Sequence, residues 1–509
     1  MALMDKEAMQ KAEKLFKIAE TFRSSNDTKN AIEAYKRSIR VYQYNAMSYV
    51  GIALCYLELQ KINKVEKNFD TAFKMANISG RSPQIKLAYA TYLKSIGRTE
   101  KCLSYYKDCC DDENYPINII SFNYLTKYDR TITTEHKLYK KITQFFSKNS
   151  ENIHREVKKS YYYALSRIYE NMKNYKKAWA MLYRGNKLST YRPVVDSFIK
   201  TNNLMRIFAT EKFQLDEIKD YYLKENKQEI VFILGQARTG TTLVEKIISS
   251  HSNVFSLGEN KYLENIIFNQ EKLKTFYETN ILKKKEDTSE ETKKPTQQEL
   301  MKQYLKTINH PSKDNYKEFA EYYLKKAYKL LKQSEYGKEG MNVFTDRSPD
   351  NILYIGYILC MFPNAKFILC ERNFLDMAVS QLQTEYEDMG KGKTSVYYNQ
   401  DSIIEQSKYF DECINYWKPF IKNRLHIVKY ESLINHGERD IKKIINHCKL
   451  EWDDKCLEFY KQKSVIRTVG EDKVFKPLFN TSIGKWEQYK QYIPTLISHY
   501  RHISNLKNN

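Results

Sequence analysis

Glycine and proline are scarce, with 15 and 10 residues in a chain of 509. Few residues therefore interrupt helices, least of all in the first 210. Cysteine is sparse as well. The nine present include no CxxC pair, and Cys109 and Cys110, being adjacent, cannot readily bridge to each other. No Cys/His set has the spacing of zinc ligands. The expectation is free thiols in a reducing cytoplasm, with no disulfide framework and no metal. Long apolar runs are also missing. The longest, Ile352 to Phe362, is about half the roughly 20 residues that a membrane helix needs. Met1 to Ala12 alternates polar and apolar residues, so no signal peptide and no membrane span are expected.

What is present suits folded domains: 42% hydrophobic and 29% charged residues. At roughly 100–200 residues per domain, two to four domains are expected. The charge is strongly positive, +22 from 84 Lys and Arg against 62 Asp and Glu. Such a sum allows an anionic partner. Lys, Asn, Ile and Tyr are all abundant, however, and Lys and Glu are interspersed, so compositional bias is the main reading and no nucleic-acid partner is expected.

The first 210 residues carry apolar spacings close to 3.6, the period of a helix. A pattern also repeats. Phe22, Ala31, Tyr35 and Ser38 stand in the same relative places as Tyr56, Val65, Phe69 and Ala72, and as Tyr169, Ala178, Leu182 and Gly185. A weaker copy runs through Tyr92, Lys101 and Tyr105, and Cys110 to Lys159 fits poorly, as one irregular helix pair. The pattern resembles the tetratricopeptide (TPR) repeat, in which a large residue on one helix packs on a small residue of the next. Repeat arrays leave a concave face. It serves here either as a docking surface for a protein or glycan acceptor or as a scaffold that stabilises the rest of the chain.

Composition and period change near Asp220. Glu229–Leu234, Asn342–Thr345, Lys366–Cys370 and Leu425–Tyr430 read as strands. Helical patterns follow at Thr241–Ser250, Pro349–Met361, Leu375–Tyr386 and Asp401–Ile421. That alternation implies a parallel sheet with helices on both faces. The expected layout is a multidomain α plus α/β chain: a helical TPR-like solenoid over 1–215, then a P-loop-like α/β domain over 225–509 with a Lys-rich insertion at about 272–340. The insertion is positioned to cover a site, and 283–294 reads as a loop.

Gly235–Thr242, GQARTGTT, follows the first strand and opens a helix whose buried face is Leu243, Val244, Ile247 and Ile248. Glycines at both ends let the backbone turn tightly. The amides of Arg238, Thr239, Gly240, Thr241 and Thr242 then converge on an anion at the helix N-terminus. Thr241 and Thr242 add hydroxyls, and Arg238 adds a permanently charged fork. The Gly235-to-Gly240 spacing is that of a Walker A loop, but Thr241 stands where that loop needs Lys, so a nucleoside-triphosphate site lacks its β/γ-phosphate ligand.

GQARTGTTLVEKIISSHSNVFSLGE resembles the 5′-phosphosulfate loop of the sulfotransferase family, whose common form is PRSGTTL. The likeness extends to its tyrosylprotein-type and repeat-containing branches, where GE follows the helix. Ala237 replaces the family Pro and Thr239 its Ser. The resemblance implies a sulfotransferase that moves a sulfuryl group from 3′-phosphoadenosine-5′-phosphosulfate (PAPS) to a hydroxyl acceptor (protein tyrosine, glycan or small molecule), releasing PAP without a metal. It implies that Arg372, ending a strand, and Ser380, at the start of the next helix, grip the 3′-phosphate, although Asn373 and Phe374 replace the family Asp and Pro. It implies that Arg347, in DRSP, replaces the Lys that contacts the transferring group. Ser348 and Pro349 there read as an N-cap and first-turn pair. Glu259, in SLGE, is implied as the general base. His251 is a rival base, but its place at a helix end reads as structural. RTVGEDKVFKPLF and SIGKWEQY resemble the family's tail, which gives Thr468 and Lys485 to the nucleotide and Trp486 to closure over it. Two other readings stay open: a P-loop kinase or NTPase, for which Glu371 is the weak pointer, and a non-catalytic TPR scaffold.

Overall fold

In the computed structural model, residues 2–25, 27–79, 82–111, 116–189, 228–267, 313–386, 395–466 and 471–508 are described. The chain divides into a helical unit and an α/β unit. The expected boundary at 215–225 and the 283–294 loop lie outside the described residues.

Ten helices run from Ala2 to Lys187: α1 (Ala2–Ser24), α2 (Thr28–Val41), α3 (Ala46–Glu58), α4 (Ile62–Ser79), α5 (Ser82–Ser95), α6 (Thr99–Asp111), α7 (Ile117–Tyr128), α8 (Lys137–Asn149), α9 (Arg155–Asn171) and α10 (Tyr175–Lys187). α1 packs on α2, α3 on α4, α5 on α6 and α9 on α10. The turns inside these four pairs share one closure. The amides of Asp27, Lys61, Arg98 and Asn174 donate to the carbonyls of Phe22, Tyr56, Leu93 and Tyr169. In three of the turns the residue just before that amide, Gln60, Gly97 or Lys173, has positive φ. This is the left-handed stop that satisfies the last carbonyls of a helix.

The weak repeat copy sits one residue later than expected. Its turn closes on Leu93 rather than Tyr92, and the buried set is Cys102, Tyr106 and Cys109, while Lys101 is exposed and Tyr105 half-buried. The stretch expected as one irregular pair holds α7, α8 and the start of α9, and α7 packs on both α6 and α9. Residues 330–338, 463–466 and 471–476 complete the helical unit. The Glu335 amide donates to the Gln60 carbonyl at 3.1 Å and the Ile466 amide to the Ser95 carbonyl at 2.9 Å.

The α/β unit is built on β1 (Glu229–Leu234), β2 (Val254–Ser256), β3 (Val343–Asp346), β4 (Lys366–Glu371) and β5 (Leu425–Lys429). All pairings are parallel, in the order β2-β3-β1-β4-β5. β2 is too short for a periodic signal, which is why sequence reading missed it. Alternate side chains point to opposite faces. Val231, Ile233, Val343, Ile368 and Cys370 pack with Val244, Ile247, Leu433 and Ile444 on one face. On the other, Phe232 lies within ring contact of Tyr323, Phe362 and Phe367. Tyr323 belongs to the helix Lys313–Gln333, where Tyr316, Ala320, Tyr323 and Ala327 are buried at helical spacing. The described part of the expected insertion is thus core and not a cover. Among the described residues no helix is long and apolar enough to cross a membrane, and all nine cysteines are free and buried.

Small residues set how closely the helices of the first unit approach. A Cβ on Gly51 would lie 2.3 Å from Cζ of Tyr35, whereas one on Gly185 would lie 3.2 Å from the Tyr163 ring. Both faces are buried, so overpacking costs about 1–3 kcal/mol where a ring cannot shift. Gly51→Ala is expected to lower the urea midpoint of the helical unit clearly more than Gly185→Ala. Equal midpoints for the two variants would contradict this packing.

Candidate active site

The loop after β1 turns within six residues because two glycines allow it. A Cβ on Gly235 would sit 2.6 Å from Oγ1 of Thr239 and 3.1 Å from the Cys370 carbonyl oxygen. A Cβ on Gly240, at φ 98°, would sit 2.8 Å from Cδ2 of Tyr430. Arg238 is also left-handed, at φ 72°. Between them Thr239 is 4% exposed and donates through Oγ1 to the Gln236 carbonyl at 2.7 Å. Successive amides held in such a turn form a concave anion cradle. Thr241 and Thr242 follow, half-buried, in the first turn of the helix Thr241–Ile248, where amides lack intrahelical acceptors.

β4 lies beside β1, with Leu369 opposite Leu234, so Arg372 emerges beside this loop. Its Nη1 donates to the Arg238 carbonyl at 2.9 Å and its Nη2 to the Ser482 carbonyl at 2.7 Å. The guanidinium lies 4.6 Å from the centre of the Tyr430 ring. Its Nε is buried with no hydrogen-bond partner among the described residues, and burial pulls its pKa down. No carboxylate forms an ion pair with Arg372 among the described residues. A cation in that position favours an anionic ligand.

Asn373 supplies the turn expected of the family Asp. Its Oδ1 accepts from the Leu375 and Asp376 amides and caps the helix Phe374–Leu382. That helix is short, so Ser380 sits in its last turn and not near its start. Ser380 nonetheless meets the loop, because Arg238 Nε donates to its Oγ at 3.0 Å. Gln381 Nε2 donates to the Ala237 carbonyl at 2.9 Å. Asp376 accepts the Gly484 and Trp486 amides at 2.8 and 3.1 Å. It thereby pins the start of the 3₁₀ helix Lys485–Tyr492. Lys485 is half-buried there. Thr468 lies outside the described residues.

β3 lies on the other side of β1, with Asp346 opposite Phe232. Asp346 is buried and accepts from the Tyr323 hydroxyl, the Ser348 amide and Asn351 Nδ2. Burial raises its pKa, with these hydrogen bonds opposing. Ser348 does not cap the following turn with its side chain. Its Oγ exchanges hydrogen bonds with the Asn260 backbone instead, and the turn is 3₁₀ from Pro349 to Tyr354. This bond ties the segment after β3 to the one after β2, as does the Arg347 amide on the Gly258 carbonyl at 3.2 Å.

Glu259 is thereby brought to Arg347, which is 5% exposed. Arg347 Nη1 donates to Glu259 Oε1, and Nε donates to Glu245 Oε2 at 2.7 Å. Burial opposes the charge of Arg347, yet Glu259 and Glu245 more than offset it and hold its pKa above the ordinary range. Nη2 has no hydrogen bond among the described residues. Glu245 was missed by sequence reading, although a charged residue beside Val244 on a buried helix face is a legible anomaly. Both ring nitrogens of His251 are engaged by backbone groups. Its Nδ1 accepts from the Asn253 amide and its Nε2 faces the Glu451 carbonyl at 2.9 Å.

Comparison with known proteins bears on this arrangement. A protein of Aquifex aeolicus described as uncharacterized is 27% identical over 350 residues, 69% of this chain and 42% of its own. The protein-tyrosine sulfotransferase of Drosophila melanogaster is 21% identical over 299 residues, 55% of this chain and 51% of its own. The chain thus spans about half the length of the curated relatives it matches. Among solved structures, the sulfotransferase domain of the Synechococcus PCC 7002 olefin synthase is 17% identical, covering 52% of this chain and 90% of its own, with a TM-score of 0.34. The sulfotransferase domain of the curacin biosynthetic pathway is 15% identical, covering 51% and 90%, with a TM-score of 0.32. Residues 230–454 match the model of the Sulfotransferase family, so the α/β unit carries a sulfotransferase-family domain.

Proposed function

We propose that the α/β unit transfers a sulfuryl group from PAPS to a hydroxyl of its acceptor and releases PAP. The observation that carries this reading is the meeting of Arg238, Ser380 and Arg372 around a glycine-hinged loop at the carboxyl ends of β1 and β4. There the chain connections diverge to opposite sides of the sheet, the usual ligand crevice of an open α/β fold. When bound, PAPS supplies an activated sulfuryl group on a phosphate leaving group.

The residues divide the work. The loop amides, with Thr241 and Thr242, hold the 5′-phosphosulfate. Arg372 and Ser380 hold the 3′-phosphate, and Lys485 completes the nucleotide site. Glu259 takes the acceptor's proton as its oxygen bonds to sulfur and the bond from sulfur to PAP breaks. Arg238 and Nη2 of Arg347 stabilise the charge that grows on the departing side, where one preorganised donor is typically worth about 10²–10³ in rate. The helical unit, whose paired turns fit a TPR-like array, presents a protein or glycan acceptor. Free buried thiols fit a reducing cytoplasm.

Three measurements test this reading. PAP should raise the melting temperature of the full chain and ATP with Mg²⁺ should not; the reverse result would favour a phosphotransferase, and no response to either a scaffold. Arg372→Ala should weaken PAP binding about 10- to 100-fold in calorimetry, and unchanged affinity would remove Arg372 from the nucleotide site. Glu259→Gln should keep PAP affinity but lower label transfer from PAPS into a cell extract by about 10²–10⁴-fold. Unaltered transfer would assign the base elsewhere.

A further inference from the structure

Glu245 has no part in the transfer step above, yet both of its carboxylate oxygens are engaged beside it. It is 6% exposed. Oε1 accepts from the Ser256 hydroxyl at 2.9 Å and from the Thr345 hydroxyl at 3.3 Å. Oε2 accepts from Arg347 Nε. The residue stands on the helix that opens with Thr241, so it is fixed to the same rigid element as the phosphosulfate loop. Its donors come from β2, from β3 and from the residue after β3. One side chain thereby joins the loop helix to the two strands that deliver Glu259 and Arg347.

We propose that Glu245 is a positioning residue for sulfuryl transfer: it orients Arg347 through Nε so that Nη1 meets Glu259. The inference rests on the reading of Glu259 as the base. Its physical content is the sharing of one guanidinium between two carboxylates. Without the second carboxylate, Arg347 loses the partner that fixes its Nε, and the guanidinium that aims Glu259 is free to turn. The base is then less firmly aimed.

Two further ionisable groups at this place do not replace that partner. Burial, then the charges of Asp350 and Glu259, hold the Tyr397 hydroxyl well above its ordinary range, so it stays neutral. Burial likewise pushes the Cys370 thiol up, with Arg347 opposing, so it too stays neutral. Ser256 and Thr345 bond to Glu245. Among the described residues, Glu245 is the charged group other than Glu259 that is hydrogen-bonded to Arg347.

The test uses the full chain. Glu245→Gln should lower transfer from PAPS into a cell extract on the order of tenfold and leave PAP affinity unchanged in calorimetry. Glu245→Asp, which keeps the charge, should recover most of that loss, which a merely structural defect in the helix would not allow. In the Glu259→Gln background, where no base is left to aim, Glu245→Gln should cost nothing further. Unchanged transfer in Glu245→Gln, an equal loss in Glu245→Gln and Glu245→Asp, or a fully additive loss in the double variant would overturn the proposal. If Glu259→Gln alone transfers normally, it is the base assignment that fails.

Discussion

The candidate site depends on β1 lying between β3 and β4 with all three strands pointing the same way. The pairs Phe232 with Asp346, Leu234 with Leu369 and Ser256 with Thr345 align the carboxyl ends of four strands along one edge. The register is set by side-chain size as much as by hydrogen bonds. Phe232, Phe344 and Phe367 share the face covered by the tyrosine-rich helix Lys313–Gln333. The opposite face is aliphatic. A slip of one residue would exchange rings for branched chains across a sheet buried on both sides. The aromatic layer therefore does more than fill space. It fixes the strands whose carboxyl ends are followed by Arg238, Arg347, Arg372 and Glu259.

Much of this was legible in the sequence, for physical reasons. β1 is a buried parallel strand, so it reads as a compact apolar run bounded by Gly235, and its limits follow directly. The loop is legible because Gly235 and Gly240 stand where any side chain would collide with Thr239 or Tyr430. Spacing alone does not give the length of the helix after β4. It stops after Leu382, which moves Ser380 from the first turn to the last while leaving it within reach of Arg238. Nor can it give partners far apart in the chain. Asp376 meets the amides of Gly484 and Trp486, and Arg347 meets carboxylates about a hundred positions upstream. In the helical unit the copy around Cys102 sits one residue later than expected, since Tyr92 and Tyr105 fit the pattern as letters although Lys101 departs from it, while Cys102 and Tyr106 fill it as packing.

The two arginines that follow β3 and β4 differ in what neutralises them, and in the proposed reaction the difference suits them to different work. Arg347 is flanked by two carboxylates, so it needs no further anion to be stable when buried, while its Nη2 keeps no hydrogen bond among the described residues. A group whose charge is already balanced can shift its hydrogen bonds as charge moves during a reaction. Arg372 has carbonyl oxygens and a tyrosine ring in contact, an Nε without a partner among the described residues, and Asp376 and Glu431 acting on it by charge without an ion pair. Neutral acceptors offset only part of the cost of burying a guanidinium, so an anion bound there would recover more of it. In the proposed reaction the β4 arm therefore suits the permanent charge of a phosphate monoester and the β3 arm a transient one, with the glycine-hinged loop of β1 between them.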